Sequence, residues 1–441
     1  MRILVLGSKE LAENLESVLS HLNVQIKNVA KETEAQEEFA YRNFDAVCFD
    51  DDYYAQSDKK TAEKILAGAK HFKVPFIVIS SDKDLSRIIE MRENGARDYI
   101  LKPYNDREFN MRFSAVAYGK TRLACIGGGS GLFTLLVGIK AIPQTLLTSI
   151  VSMSDDGGSS GKLTQSLGVL PPGDVRRSLV ALSNAPEIMN QILQYRFEKK
   201  GELEGHSFGN IFLAALAGVK GSMPEAVRAL GDILYIQGIV LPVSRTLVKL
   251  SARFEDGTVV KGESNIDRCD DRAHELKLKE LWHEPDADAD GNALSAIIFS
   301  DYVTIGPGDL FTSIITNIVV KNIREALIQT KAKKIYICNL MTKPGETSQL
   351  DAADHVNEIL KYLGGDFLDF ILVSDTKFAE EAIADYAKKN QAPVILEDPR
   401  KIRKMTRAKL IMADVANSAE LVRHDSHKLK QEIQRIIGVS G

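Results

Sequence analysis

Between Arg122 and Asp174 two glycine-rich turns follow one another with a pair of carboxylates between them: RLACIGGGSGLFTLLVGIK, then SIVSMSDDGGSSGKLTQSLGVLPPGDVRRSL. Gly127, Gly128, Gly129, Ser130 and Gly131 suit phosphate chemistry. Glycines let backbone N–H groups approach an anion with no Cβ in the way, and a helix N-terminus adds unsatisfied donors and the positive end of its dipole. The string departs from GxGxxG at Leu132 and carries no P-loop lysine. A strand-to-helix turn with nothing bound is therefore the alternative. Asp155 and Asp156 lie before Gly157 and Gly158 at the expected tip of the next strand. A carboxylate there meets a ribose hydroxyl, and a pair can hold a divalent metal such as Mg²⁺. The stretch Gly157 to Gly161 is expected to form a second flexible loop able to close over a ligand.

Further polar groups follow. Pro171, Pro172 and Gly173 set a rigid turn before Asp174, placed either to cap a helix starting at Val175 or to face the site. Arg176 and Arg177 are adjacent on that first turn, so at most one can face the ligand, and Arg176 is the candidate. His206, Ser207 and Asn210 open the apolar helix IFLAAL, either as caps or as hydrogen-bonding groups for a base or sugar. Gly306, Pro307 and Gly308 make another glycine turn, expected to line the far side of the cleft. Asp309 after it stabilises a helix start but repels phosphate. Lys343, in the loop TKPGET, either neutralises a phosphate or is simply solvated. His355 reads as an ordinary helical residue.

These residues need strands and helices to hold them. Leu123 to Ile126 and Thr148 to Met153 read as buried strands, with a helix face over Leu132 to Ile139. Further strands are predicted at Tyr302 to Ile305, Lys334 to Leu340, Phe370 to Val373, Pro393 to Leu396 and Leu410 to Met412. Helices are predicted over Ile318 to Gln329, Asp351 to Leu363 and Phe378 to Lys389. Phe254 to Glu284 differs, with a hairpin through Asp256 and Gly257 and then a charged excursion. Residues 1–117 form a separate alternating pattern in which RILVLG, VQIKNV, DAVCFD, PFIVISS and DYILKPY are strands between helices. A short join at Tyr118 to Thr121 leads to a second domain, 122–441.

The first block resembles a response-regulator receiver domain of flavodoxin-like fold. Asp50 stands at the phosphoacceptor position of that family, Ser80 at its switch hydroxyl and Lys102 at its phosphate-pairing lysine. Receivers place an acidic pair after the first strand to hold magnesium, whereas this chain has Gly7 and Ser8. The expectation is a degenerate receiver used for docking or dimerisation, the alternative being a phosphorylatable domain.

In the second block GGGSG, MSDDGGSSG, LPPGDVRRSLVALS, GHSFGNIFLAAL, IGPGDLFTSI and NLMTKPGET occur in this order. Together they resemble the bacterial gluconeogenesis factor family, relatives of 2-phospho-L-lactate transferase (CofD). The resemblance implies an α/β protein in which the receiver-like domain precedes a large Rossmann-like domain of CofD type. It implies binding of a nucleotide diphosphate, such as UDP-N-acetylglucosamine, GTP or GDP. It also implies a regulatory role linking carbon flow to cell-envelope synthesis and cell shape, through a regulatory protein partner not named by the sequence. The related transferases imply an alternative, Mg²⁺-assisted transfer chemistry. An NAD-dependent oxidoreductase is a third reading of the strand, glycine and acid pattern. No recognisable nucleophile and base pair is present.

Composition bounds the rest. The formal net charge is −4, so nucleic acid is not an expected partner. No apolar run reaches membrane-span length, and the chain enters a strand at once, so a cytoplasmic protein is expected. Cys48, Cys125, Cys269 and Cys338 are widely spaced and read as small residues in a reducing compartment. A homo-oligomer is expected.

Overall fold

The computed structural model describes residues 1–41, 44–57, 59–198, 201–267, 276–417 and 422–439. In the N-terminal unit, β1 (Arg2–Leu6), β2 (Gln25–Val29), β3 (Ala46–Asp50), β4 (Phe76–Ser80) and β5 (Asp98–Leu101) pair in parallel in the order β2-β1-β3-β4-β5. That is the flavodoxin-like order. Its strands β3 and β4 are buried along their whole length, as expected of a parallel sheet with helices on both faces.

The second unit is built on β6 (Thr121–Gly127), β7 (Thr145–Val151) and β8 (Ile239–Pro242). Next come β9 (Lys249–Phe254), β10 (Val259–Lys261) and β11 (Leu278–Glu284), an antiparallel sheet in the order β10-β9-β11. Its hairpin turns through Asp256 and Gly257, as the spacing predicts. The excursion beyond it, with Cys269, lies partly outside the described residues. Then β12 (Tyr302–Ile305), β13 (Lys333–Ile337), β14 (Phe370–Ser374) and β15 (Lys409–Ala413) complete a seven-stranded parallel sheet, β15-β14-β13-β12-β6-β7-β8. A two-residue hairpin, β16 (Ala416–Asn417) with β17 (Arg423–His424), follows it. Cys48, Cys125 and Cys338 are buried free thiols, and burial pushes each up to about 12.

Two predicted elements differ. Pro393 to Leu396 forms no strand; only an isolated bridge joins Met341 to Pro393. Both sides of β14 are already taken by β13 and β15, so this apolar run packs over the loop after β13 instead, burying Val394 and Leu396. The helix expected over Ile318 to Gln329 is broken. Asn322, at φ 73, starts a separate helix, Ile323–Gln329.

The two units dock through buried polar groups. Arg112 donates to Asp98 at 2.8 and 2.5 Å, to the Tyr99 carbonyl at 2.9 Å and to the Ser295 hydroxyl of the second unit at 2.9 Å. Burial pushes the Asp98 carboxyl up, but Arg112 outweighs it and holds the group below its ordinary value. Arg228 of the second unit donates to Glu108 at 3.1 Å. The helix carrying these groups, Asp106–Ala117, therefore docks within the chain.

Candidate functional site

From β6 the chain moves through β7 to β8, then returns to β12 on the other side of β6. The crevice beyond the carboxyl ends of β6 and β12 is thus the topological switch point, where open α/β sheets bind ligands. The glycine turn after β6 leads into the helix Gly129–Ile139, with Gly128 at its N-cap. Its first intrahelical bond is Leu132 N–H to the Gly128 carbonyl, so the Ser130 and Gly131 N–H groups lie ahead of the ladder.

The turn Gly306–Pro307–Gly308 lies beside this loop, not across from it. A Cβ on Gly131 would lie 2.6 Å from the Pro307 carbonyl oxygen. Because β12 pairs directly with β6, the two turns form one wall. The cavity in front of it measures about 210 Å³ and is faced by Gly128 to Gly131 and Gly308. Asn339 to Lys343, Tyr386, Arg423 and His424 also line it. Following Gly308, the chain forms a π-helical turn, Leu310–Ile315, in which Ile314 N–H reaches back to the Asp309 carbonyl.

Lys343 reaches this cavity, but its charge is shared among three carboxylates. Its Nζ lies 2.7 Å from Asp267, 2.7 Å from Asp309 and 2.8 Å from Glu346. Burial would lower its pKa, yet Glu346, Asp309 and Asp267 together raise it. Neither solvated nor free for phosphate, it neutralises the carboxylate at 309. Glu346, fully buried, accepts from the Phe311 and Thr312 N–H groups at 3.2 and 3.1 Å and so anchors the π-helical turn.

Asp174 does not cap a helix at Val175. The helix runs Gly173–Leu182 with Pro172 at the N-cap position, and Asp174 sits inside its first turn. Its carboxylate instead reaches the first glycine turn, where a Cβ on Gly128 would lie 2.5 Å from Oδ2. Arg177 donates to it at 2.9 Å. Burial pushes Asp174 up, opposed by Arg177 and the Gly129 N–H and reinforced by Asp155.

Asp155 and Asp156 are turned to different partners. Asp155 Oδ1 accepts from Gly157 N–H at 2.9 Å, while Asp156 Oδ1 accepts from Ser264 N–H at 2.8 Å, tying down the short helix Glu263–Asp267. Gly158 already begins a regular helix, Gly158–Leu167, so the expected flexible loop is a helix start. Among the described residues no group of three or more His, Cys, Asp or Glu is arranged to hold a metal ion.

His206, Ser207 and Asn210 gather at that helix start and do not line the cavity above. Ser159 Oγ lies 3.2 Å from His206 Nδ1 and accepts from Ser207 N–H at 3.2 Å. Asn210 donates to Ser160 Oγ at 3.4 Å. Arg176 is buried with them and shares the Leu193 carbonyl with the Ser207 hydroxyl. Burial lowers Arg176 to about 10.

In the N-terminal unit Asp50 is buried, accepting from Lys102 at 2.9 Å and from the Ser8 hydroxyl at 3.1 Å. Lys102 also pairs with Asp52 at 2.9 Å, and Asp51 accepts from Ser80 and Arg87 at 3.0 and 3.1 Å. The three carboxylates are therefore matched by internal donors.

Residues 123–416 match the family described as 2-phospho-L-lactate transferase CofD. A putative gluconeogenesis factor from Thermotoga maritima is 42% identical over 71% of this chain and 99% of its own length. The gluconeogenesis factor of Bacillus subtilis is 39% identical over 70% of this chain and 96% of its own. A crystal structure of a UPF0052 family protein from Bacillus halodurans superposes with a TM-score of 0.67 at 38% identity, covering 71% of this chain and 99% of that one. The chain belongs to the gluconeogenesis factor family, within the CofD group. The family match starts at residue 123, so the five-stranded unit is an addition ahead of it.

For this family member, three groups of the cavity lining carry no sequence signal. Tyr386, Arg423 and His424 are brought in by the helix Glu380–Ala387 and the β16–β17 hairpin. Strands of two residues leave no periodicity to read. Arg423 is exposed and makes no ion pair among the described residues. His424 is buried, its Nε2 lacks a hydrogen-bond partner, and burial lowers its pKa to about 4. It is a neutral imidazole bonded to the Cys338 backbone, with its other nitrogen buried.

Proposed function

We propose that the switch-point cleft binds a nucleotide diphosphate sugar of the UDP-N-acetylglucosamine kind. We further propose that the protein acts as a regulator coupling carbon metabolism to envelope synthesis and cell shape. One observation carries the binding reading: helix-start N–H groups ahead of the intrahelical ladder and Arg423, which makes no ion pair among the described residues, line a single cavity at the switch point. A diphosphate fits backbone donors and a cation lining one space. The cavity, about 210 Å³, suits a diphosphate and its adjoining sugar, with the rest of the ligand along the rim.

The surroundings are acidic. Burial and the charges of Asp155, Asp174 and Asp267 hold Glu263 well above its ordinary value. An anionic ligand placed near these carboxylates, none of which lines the cavity itself, is best accompanied by Mg²⁺, which commonly binds through one or two carboxylates plus ligand phosphates and keeps several waters. Asp155, whose charge acts on both Asp174 and Glu263, is the first choice for that role.

The second reading is a group-transfer enzyme, favoured by the match of residues 123–416 to the 2-phospho-L-lactate transferase family. Both readings share the nucleotide site and differ in turnover. A thermal-shift panel of UDP-N-acetylglucosamine, GTP, GDP and NAD, each with and without Mg²⁺, separates them, because a ligand that binds the native state raises the melting temperature. Stabilisation by the UDP-sugar supports the first reading. Stabilisation by the guanine nucleotides alone overturns it.

A further inference from the structure

A second cavity, of about 930 Å³, lies between the two units. It is bounded by the residues that lead into β4, by the turn from Arg92 to Arg97, by the connection Ala115 to Arg122, and by Asp301 and Lys331. These segments sit at the N-terminal ends of β4, β5, β6, β12 and β13, the opposite end of both sheets from the glycine turns. The cleft is therefore separate from the site described above.

Seven of its lining side chains are basic, and only Glu93 and Asp301 are acidic. This is a local excess of positive charge in a chain whose formal net charge is −4. Lys73, Arg97, Lys120 and Lys331 make no ion pair or side-chain hydrogen bond with the described residues. Lys73 and Arg97 come from the N-terminal unit, Lys120 from the connection and Lys331 from the second unit. Arg92 sits deeper. Its guanidinium lies 5.5 Å from the Phe299 ring centroid, and its buried Nε has no partner. Arg122, 3.6 Å from Asp301, adds a like charge beside it. Gathering like charges around a concavity costs self-repulsion and focuses a positive field into the space they share.

We propose that this interdomain cleft binds a small oligophosphate, either inorganic or carried on a nucleoside, and that the bound anion ties the N-terminal unit to the second. The cleft falls within the range of roughly 300–1,000 Å³ typical of small-molecule sites. The unpaired cations lie on both walls, so a chain of several phosphates reaches partners that a single phosphate does not. Lys and Arg around a shared space are the usual partners of phosphate oxygens. This proposal is independent of what the glycine turns bind.

Isothermal titration of the full chain at low ionic strength tests it, with inorganic tripolyphosphate in one arm and ATP in the other. Saturable binding is expected in at least one arm, weakening as salt rises. Binding in the ATP arm alone assigns the ligand to the nucleoside class. Lys73→Glu and Lys331→Glu change exposed residues on different units. Each is expected to weaken binding roughly tenfold, while Lys73→Arg and Lys331→Arg retain it. Absence of binding in both arms overturns the proposal. So does binding that both charge reversals leave unchanged, which would place the anion at the glycine turns. Weakening by only one reversal overturns the bridging role.

Discussion

Gly131 and Pro307 meet backbone to backbone where the neighbouring strands β6 and β12 end, and a Cβ on Gly131 would lie 2.6 Å from the Pro307 oxygen. The contact makes one continuous wall out of two turns far apart in sequence. Gly131→Ala has no flexible side chain to displace, so the turns must separate. The expected cost is about 1–3 kcal/mol, in the range of overpacking, read by urea unfolding, together with weaker nucleotide binding. Unchanged stability would show that the wall yields freely.

Asp267 gives a pH signature. Partial burial, reinforced by the Glu346 charge, raises it from 3.8 to about 7 against the pull of Lys343. Between those values the folded chain keeps a proton that the unfolded chain releases, so this group's contribution to stability falls as pH rises through that window. His283 and His424, each lowered to about 4 by burial, act in the opposite sense below their unfolded value of 6.5. The measurement is therefore the difference between wild type and Asp267→Asn. The advantage of wild type over the variant should shrink from about pH 4 to pH 7, and a flat difference would contradict the assignment.

The strand, glycine-turn and helix pattern was legible because apolar periodicity and glycine spacing are local. Tyr302–Ile305 was placed to the residue, and the switch point followed from strand order. What was not legible depends on distant partners. Lys343 looked like a loop cation, and nothing near it in sequence except Glu346 announces the carboxylates from 267 and 309 that claim it. Asp174 follows Pro-Pro-Gly as a cap would, yet the helix starts earlier and the carboxylate turns to another loop. Arg423 and His424 sit on strands too short to carry a pattern. Pro393 to Leu396 is apolar because it covers a loop, a burial that periodicity does not distinguish from a strand.

Docking of the N-terminal unit depends on Arg112, which is buried with Asp98 and Ser295. Arg112→Ala strands the Asp98 carboxylate and should cost about 3–5 kcal/mol. Asp232→Asn, which breaks the pair of this half-exposed carboxylate with Arg107 and leaves the Arg107 bonds to the Ile236 and Gly238 carbonyls in place, should cost less than about 1 kcal/mol. Urea unfolding of both variants checks the contrast, and equal losses would refute it.

Asp50 is expected to resist phosphorylation. Lys102 and Ser8 already engage both of its carboxylate oxygens, and Gly7 and Ser8 stand where a receiver carries its acidic pair. After incubation with acetyl phosphate and Mg²⁺, mass spectrometry should find no phosphoryl group on Asp50. A stoichiometric phosphoryl group there would establish an active receiver.

The proposed nucleotide diphosphate in the switch-point cleft lies against the glycine turns and Arg423. Titration calorimetry of UDP-N-acetylglucosamine with Mg²⁺, on wild type and on Arg423→Glu, tests that placement most directly. Arg423 is exposed, so the variant should keep its unfolding midpoint. One site per chain is expected in wild type, with at least roughly tenfold weaker binding in the variant, the scale of a lost charge-assisted contact. No binding to wild type, or equal affinity in the two proteins, would contradict it.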